Sequence, residues 1–81
     1  MRVVIVEDQA MLRDSLALAI DAQDDMQVVG KTPDAEQALD LVRRQSADLV
    51  LMDVCTQGGR SGITATRAIK EALPNVRVVV M

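Results

Sequence analysis

The sequence predicts an α/β fold, an open parallel sheet built from βα repeats. Short apolar, β-branched runs alternate with stretches whose apolar residues recur at helical spacing. The runs are apolar on consecutive positions rather than alternate ones, the mark of strands covered on both faces. Strands that alternate with helices in this way imply parallel pairing through right-handed crossovers.

The elements follow in order. Val3-Val4-Ile5-Val6 is the first strand. From about residue 9 to residue 22 the apolar positions are Met11, Leu12, Leu16, Ala19 and Ile20, which predicts a helix with Asp8 as its N-cap. Asp24-Asp25 interrupts that pattern, and residues 26–30 read as a second strand. Thr32 suits the cap of the next helix and Pro33 its first turn. Ala35, Ala38, Leu39 and Val42 then fall at i, i+3, i+4 and i+7. Leu49-Val50-Leu51-Met52 is a third buried strand, flanked by Asp48 and Asp53. Residues 54–62 hold Gly58, Gly59 and Gly62 and read as a loop. Ala65, Ala68, Ile69, Ala72 and Leu73 mark a third helix, stopped by Pro74-Asn75. Residues 76–81 form a fourth strand.

Composition narrows the function. At 81 residues the chain is one domain at most. It has no aromatic residue, which removes stacking platforms for single-stranded nucleic acid. It has no His, so it carries no His-based triad and no imidazole metal ligand. Its net charge of −3 disfavours electrostatic binding of DNA or anionic lipid. The single Cys, Cys55, makes no internal disulfide and suits a reducing, cytoplasmic setting. The apolar run after Met1 meets Glu7 and Asp8 too early for a signal peptide, and no stretch is long enough for a membrane span.

Ligands of open parallel sheets bind at the carboxyl ends of the strands. The first strand ends in Glu7-Asp8 and the third in Asp53. If these strands are neighbours, three carboxylates meet at one sheet edge. Converging like charges raise one another's pKa, and a hard divalent cation such as Mg²⁺ relieves them. The pattern alone leaves two readings, a cation site or acids that flank strands because strands end at solvent.

The segments RVVIVEDQAMLRDSL, VVGKTPDAEQAL and DLVLMDV resemble the receiver domains of two-component response regulators. The Val-Val-Gly step followed by an Ala-Leu pair is most similar to the LuxR/NarL-type subfamily, which carries a C-terminal helix-turn-helix. The resemblance runs over the whole chain. It implies the flavodoxin-like receiver fold with strand order 2-1-3-4. By position it implies that Asp53 is the phosphoacceptor and that Asp8 ligates Mg²⁺ directly. Glu7 matches an acid acting mainly through a bound water, and Cys55 a residue whose backbone carbonyl faces the metal. The Cys55 thiol is then incidental. A sensor histidine kinase is the implied donor. DNA is contacted only through an output domain beyond this chain, and the module is not otherwise an enzyme.

Two departures stand out. The loop after Asp53 has no Pro and one extra residue, with the family's usual Gly at Gly62, and is expected to be more mobile. The family fold has five strands and five helices in about 120 residues. Residues 1–81 therefore read as a partial receiver, lacking the fifth strand, the sensing Ser or Thr, the following Lys and the DNA-binding domain. The fourth strand then becomes an apolar sheet edge, and a homodimer or element-swapped oligomer is expected.

Other residues have ordinary readings. The five methionines are packing residues and the start. Arg43-Arg44 favours a helix dipole. Met11, Leu12 and Ser15 lie on the helix that similar receivers offer to their kinase, with Arg13 and Asp14 expected to face solvent there. Three rival functions are weighed. An interaction-only receiver, switching without phosphate, is opposed by the intact acids Glu7, Asp8 and Asp53. A Mg²⁺-dependent Asp-nucleophile phosphatase expects a second Asp at the position of Cys55. A flavin binder wants a hydroxyl-rich loop after the first strand and aromatic stackers, and has neither.

Overall fold

The computed structural model describes residues 1–53 and 60–81, with backbone alone at 60 and 61. The four strands are β1 (Arg2–Val6), β2 (Gln27–Thr32), β3 (Leu49–Met52) and β4 (Arg77–Val80). They form one sheet in the order β2-β1-β3-β4. Every neighbouring pair is parallel, as the consecutive apolar runs require. Val4 stands opposite Val50 and Val6 opposite Met52 in the β1–β3 ladder, which contains no irregularity. The β1–β2 ladder slips once, between Val3 and Val4.

Burial of β1 explains its composition. Val3, Val4, Ile5 and Val6 have no exposed surface. Val4 and Val6 pack with Ala38, Val42, Val50, Met52 and Ile69 on one face of the sheet. Val3 and Ile5 pack with Ala17, Leu16 and Ile20 on the other. The crossovers supply these covers. α2 (Ala38–Gln45) and α3 (Arg60–Ala72) lie on the first face, and α1 (Ala10–Asp21) lies on the second. The stripe Ala35, Ala38, Leu39, Val42 packs into the core as its spacing predicts.

Several local expectations need correction. Gln9, not Asp8, is the N-cap of α1, and it makes no side-chain capping bond. The Asp8 carboxylate joins the acidic cluster described below instead. The buried side of α1 is Leu16, Ala17 and Ile20, continued at its start by half-buried Arg13. Met11 and Leu12 are exposed, at 86% and 44%, and Ala19 is exposed too. Arg13 therefore does not face solvent as expected, although Asp14 does.

Thr32 is the last residue of β2, paired with Val6, and caps no helix. Its hydroxyl accepts from the Asp34 amide at 3.1 Å. Asp34 is the cap, its side chain accepting from Glu36 N at 2.9 Å to start a 3-10 turn, Ala35–Gln37, that leads into α2. Pro33 thus precedes the helical turn rather than occupying it. Arg60–Gly62 belong to α3, so the predicted loop is shorter than residues 54–62; the remainder of it, with Cys55, lies outside the described residues. α3 ends at Ala72, before Pro74 as predicted. Lys70 Nζ closes the turn into β4, donating to Pro74 O and Val76 O at 3.3 and 3.0 Å.

Candidate functional site

The sheet places the three acids. β1 and β3 are adjacent and in register, so both end at the same level. Hydrogen bonding continues one step past each strand. Glu7 N donates to Thr32 O at 3.1 Å, and Asp53 N donates to Val6 O at 3.0 Å. Glu7 and Asp53 are therefore held by backbone bonds on either side of the end of β1. Asp8 follows in the turn into α1.

One carboxylate oxygen from each of Glu7, Asp8 and Asp53 falls within 4.8 Å of the others. Glu7 is 2% exposed, while Asp8 and Asp53 are half-buried. Burial pushes the Glu7 carboxyl above the ordinary value of 4.5. The Gln9 amide, which donates to Glu7 Oε1 at 3.1 Å, opposes this. Hydrogen bonds with Asp53 and Asp8, and the charge of Asp53, push it further up. The cluster thus holds more negative charge than its surroundings favour. Its donors are all hard carboxylate oxygens, the set that suits Mg²⁺ and not a thiolate-seeking metal. The solvated-edge reading left open by the sequence does not describe Glu7, which is buried.

The response regulator receiver domain family matches residues 3–81. The chain belongs to this family. Among solved structures, this receiver is similar to the response regulator domain of Thermotoga maritima CheB, with a TM-score of 0.89 and 34% identity, over 99% of this chain and 58% of that one. It is also similar to a LuxR-family two-component response regulator from Aurantimonas sp. SI85-9A1, with a TM-score of 0.88 and 30% identity, over 98% and 56% of the two chains. A curated relative, the oxygen regulatory protein NreC of Staphylococcus carnosus, is 32% identical over all 81 residues. The receiver spans 37% of that relative's length. No helix among the described residues is long and apolar enough to cross a membrane.

The structure brings together Glu7, Asp8 and Asp53; Cys55 lies outside the described residues. One residue beside the receiver's acids escaped sequence reasoning. Arg13 Nη1 donates to the Glu7 carbonyl oxygen at 2.9 Å. The signal was present: positions 13, 16, 17 and 20 are an i, i+3, i+4, i+7 stripe with an Arg at its N-terminal end.

Proposed function

We propose that this receiver accepts a phosphoryl group on Asp53 from the phospho-His of a sensor histidine kinase, in a Mg²⁺-dependent reaction. The phosphorylated form then switches a LuxR-type DNA-binding output carried elsewhere in the full regulator, in the cytoplasm. The observation that supports this best is the meeting of Asp53 with Glu7 and Asp8 at the carboxyl ends of two adjacent strands.

The chemistry asks little of the protein beyond a positioned nucleophile and neutralised charge. An Asp53 oxygen attacks phosphorus while the bond from phosphorus to the donor imidazole nitrogen breaks. The bonding pair returns to that nitrogen; with a proton already on the ring's other nitrogen, this leaves neutral His and an acyl phosphate on Asp53. The bond from Asp53 N to Val6 O anchors the nucleophile's backbone on the sheet. Asp8 and Asp53 would hold Mg²⁺ directly, the Cys55 carbonyl would complete the protein's share, and Glu7 would act through a bound water. When bound, the ion neutralises charge on the carboxylates and on the transferring phosphoryl oxygens. Glu7 keeps a third carboxyl at the metal's side, buried and steadied by the bond from the Gln9 amide.

The test is intact mass after incubation with Mg²⁺ and acetyl phosphate. The parent should gain one phosphoryl group only when metal is present, and Asp53→Asn should gain none. Labelling of Asp53→Asn equal to the parent's would move the acceptor elsewhere. A parent that takes no label, even when extended through a fifth strand and helix, would favour an interaction-only module.

A further inference from the structure

We infer that Arg13 is a positioning residue of the acidic site, which holds the Glu7–Asp8 peptide so that both carboxylates face Asp53. This rests on the cation-site reading given above. Among the described residues the sheet ladder reaches Glu7 N, which donates to Thr32 O, and goes no further along this turn. α1 begins at Ala10. Asp8 and Gln9 bridge the gap; Gln9 O accepts from Arg13 N at 2.9 Å, but its side chain makes no capping bond. Two further bonds reach Glu7, one at its side chain and one at its carbonyl. The Gln9 amide steadies the Glu7 carboxylate at 3.1 Å, and the Arg13 guanidinium takes the Glu7 carbonyl at 2.9 Å. That carbonyl belongs to the peptide joining Glu7 to Asp8. Rotating this peptide plane re-aims the Asp8 side chain, because only two soft dihedrals separate planar units. A guanidinium on the carbonyl removes that rotation.

The helix in turn fixes Arg13. It begins the stripe continued by Leu16, Ala17 and Ile20, which pack on the sheet face formed by Val3 and Ile5. Half-buried on that face, its long arm is confined before it bonds. The bond reaches from the first turn of α1 back across six residues to the end of β1, so the packing of α1 sets the geometry of the acids.

Electrostatics separates this role from two ordinary ones. A cation beside a cation site repels the ion, so by charge alone loss of Arg13 should tighten Mg²⁺ binding. A mere helix tether would change thermal stability and leave the affinity of the folded chain unmoved. Positioning predicts weaker binding, and partners of metal ligands commonly contribute about 10–100-fold in affinity.

The test is a Mg²⁺ titration of the 81-residue chain followed by ¹H–¹⁵N NMR at the Gln9 and Asp53 amides, with metal-free melting temperatures measured alongside. Parent, Arg13→Met, Arg13→Lys and Asp8→Asn are compared. Arg13→Met should raise the Mg²⁺ dissociation constant about tenfold, the lower end of that range. Arg13→Lys, which keeps one donor and the charge, should recover part of the loss. Arg13→Met binding Mg²⁺ as tightly as the parent, or more tightly, overturns the inference whatever happens to the melting temperature. If Arg13→Met does not fold, Arg13→Gln replaces it under the same criterion. Asp8→Asn separates the two levels. A parent without a metal-dependent shift, or an Asp8→Asn chain that binds like the parent, removes the cation-site reading itself. A parent that binds, an Asp8→Asn chain that does not, and an unchanged Arg13→Met chain remove only the role of Arg13.

Discussion

Gly30 in β2 lies directly under Leu41 of α2: a Cβ added to Gly30 would come within 2.9 Å of Leu41 Cδ1 and 3.0 Å of both Cγ and Cδ2. The side chain of Leu41 packs against the core on that face of the sheet. A methyl group at residue 30 therefore has to displace the Leu41 side chain. Gly30→Ala should destabilise the chain by about 1 kcal/mol, the low end of the overpacking range, because the atoms it meets belong to a movable side chain. Urea denaturation measures this. Adding Leu41→Ala removes the clashing atoms, so the double variant should fall short of the sum of the two single losses. Strict additivity would mean the two positions do not touch.

The pH dependence of stability follows from Glu7. Its folded pKa is raised, so over a window above 4.5 the folded chain keeps a proton that the unfolded chain has released. The contribution to stability is full below the ordinary Glu value. It is lost as pH rises through the raised folded value. Metal-free thermal melts across this acidic window should show that decline in the parent. Glu7→Gln removes the titration and should flatten this component. Identical slopes for the two chains would contradict the burial of a titrating Glu7.

Ser46 supplies a third test. It closes α2 in the left-handed region, with φ 53° and ψ 49°, and is the one non-glycine residue at positive φ among the described residues. A residue with a Cβ is strained there, and glycine is not. Ser46→Gly should stabilise the chain by about 0.5–1 kcal/mol, since the relief of strain outweighs the added freedom of the unfolded chain. A melting temperature at or below the parent's would count against the strain.

The exposed flank of β4 makes a fourth. Val79, Val80 and Met81 are 47%, 51% and 44% exposed, and among the described residues β4 pairs only with β3. An apolar edge of this kind templates pairing with another strand. The 81-residue chain should sediment as more than monomer at high concentration. Val79→Lys should shift it toward monomer while leaving the melting temperature nearly unchanged. A parent that stays monomeric throughout would show the edge to be inert.

Much of this was legible in the sequence because it followed from burial. Strands covered on both faces must be apolar wherever they are buried, and β1 is apolar from Val3 to Val6. That property led to a parallel sheet, and the sheet led to strand ends where Glu7, Asp8 and Asp53 converge. The failures share another cause. Two overlapping apolar stripes run along α1, and periodicity alone does not say which meets the sheet. Met11 and Leu12 belong to the one left outside. The true stripe was disguised by a charged residue at its start, whose guanidinium is satisfied by a carbonyl rather than by water. At the next helix, Thr32 had the right chemistry for a cap. The ladder with Val6 kept it extended, and the stronger acceptor Asp34 took the role.

The interior place of β1 bears on how the acids would be lost. Backbone groups of interior, fully buried strands exchange their hydrogens only when the whole domain opens, whereas chain ends and outer helices open locally and often. Glu7 and Asp53 hang from the slowest-opening part of the molecule, and Asp8 hangs from the junction with an outer helix, α1. Brief detachment of α1 would release Asp8 while Glu7 and Asp53 stay on their ladder. The cluster would then open by fraying one ligand at a time, long before global melting dispersed it.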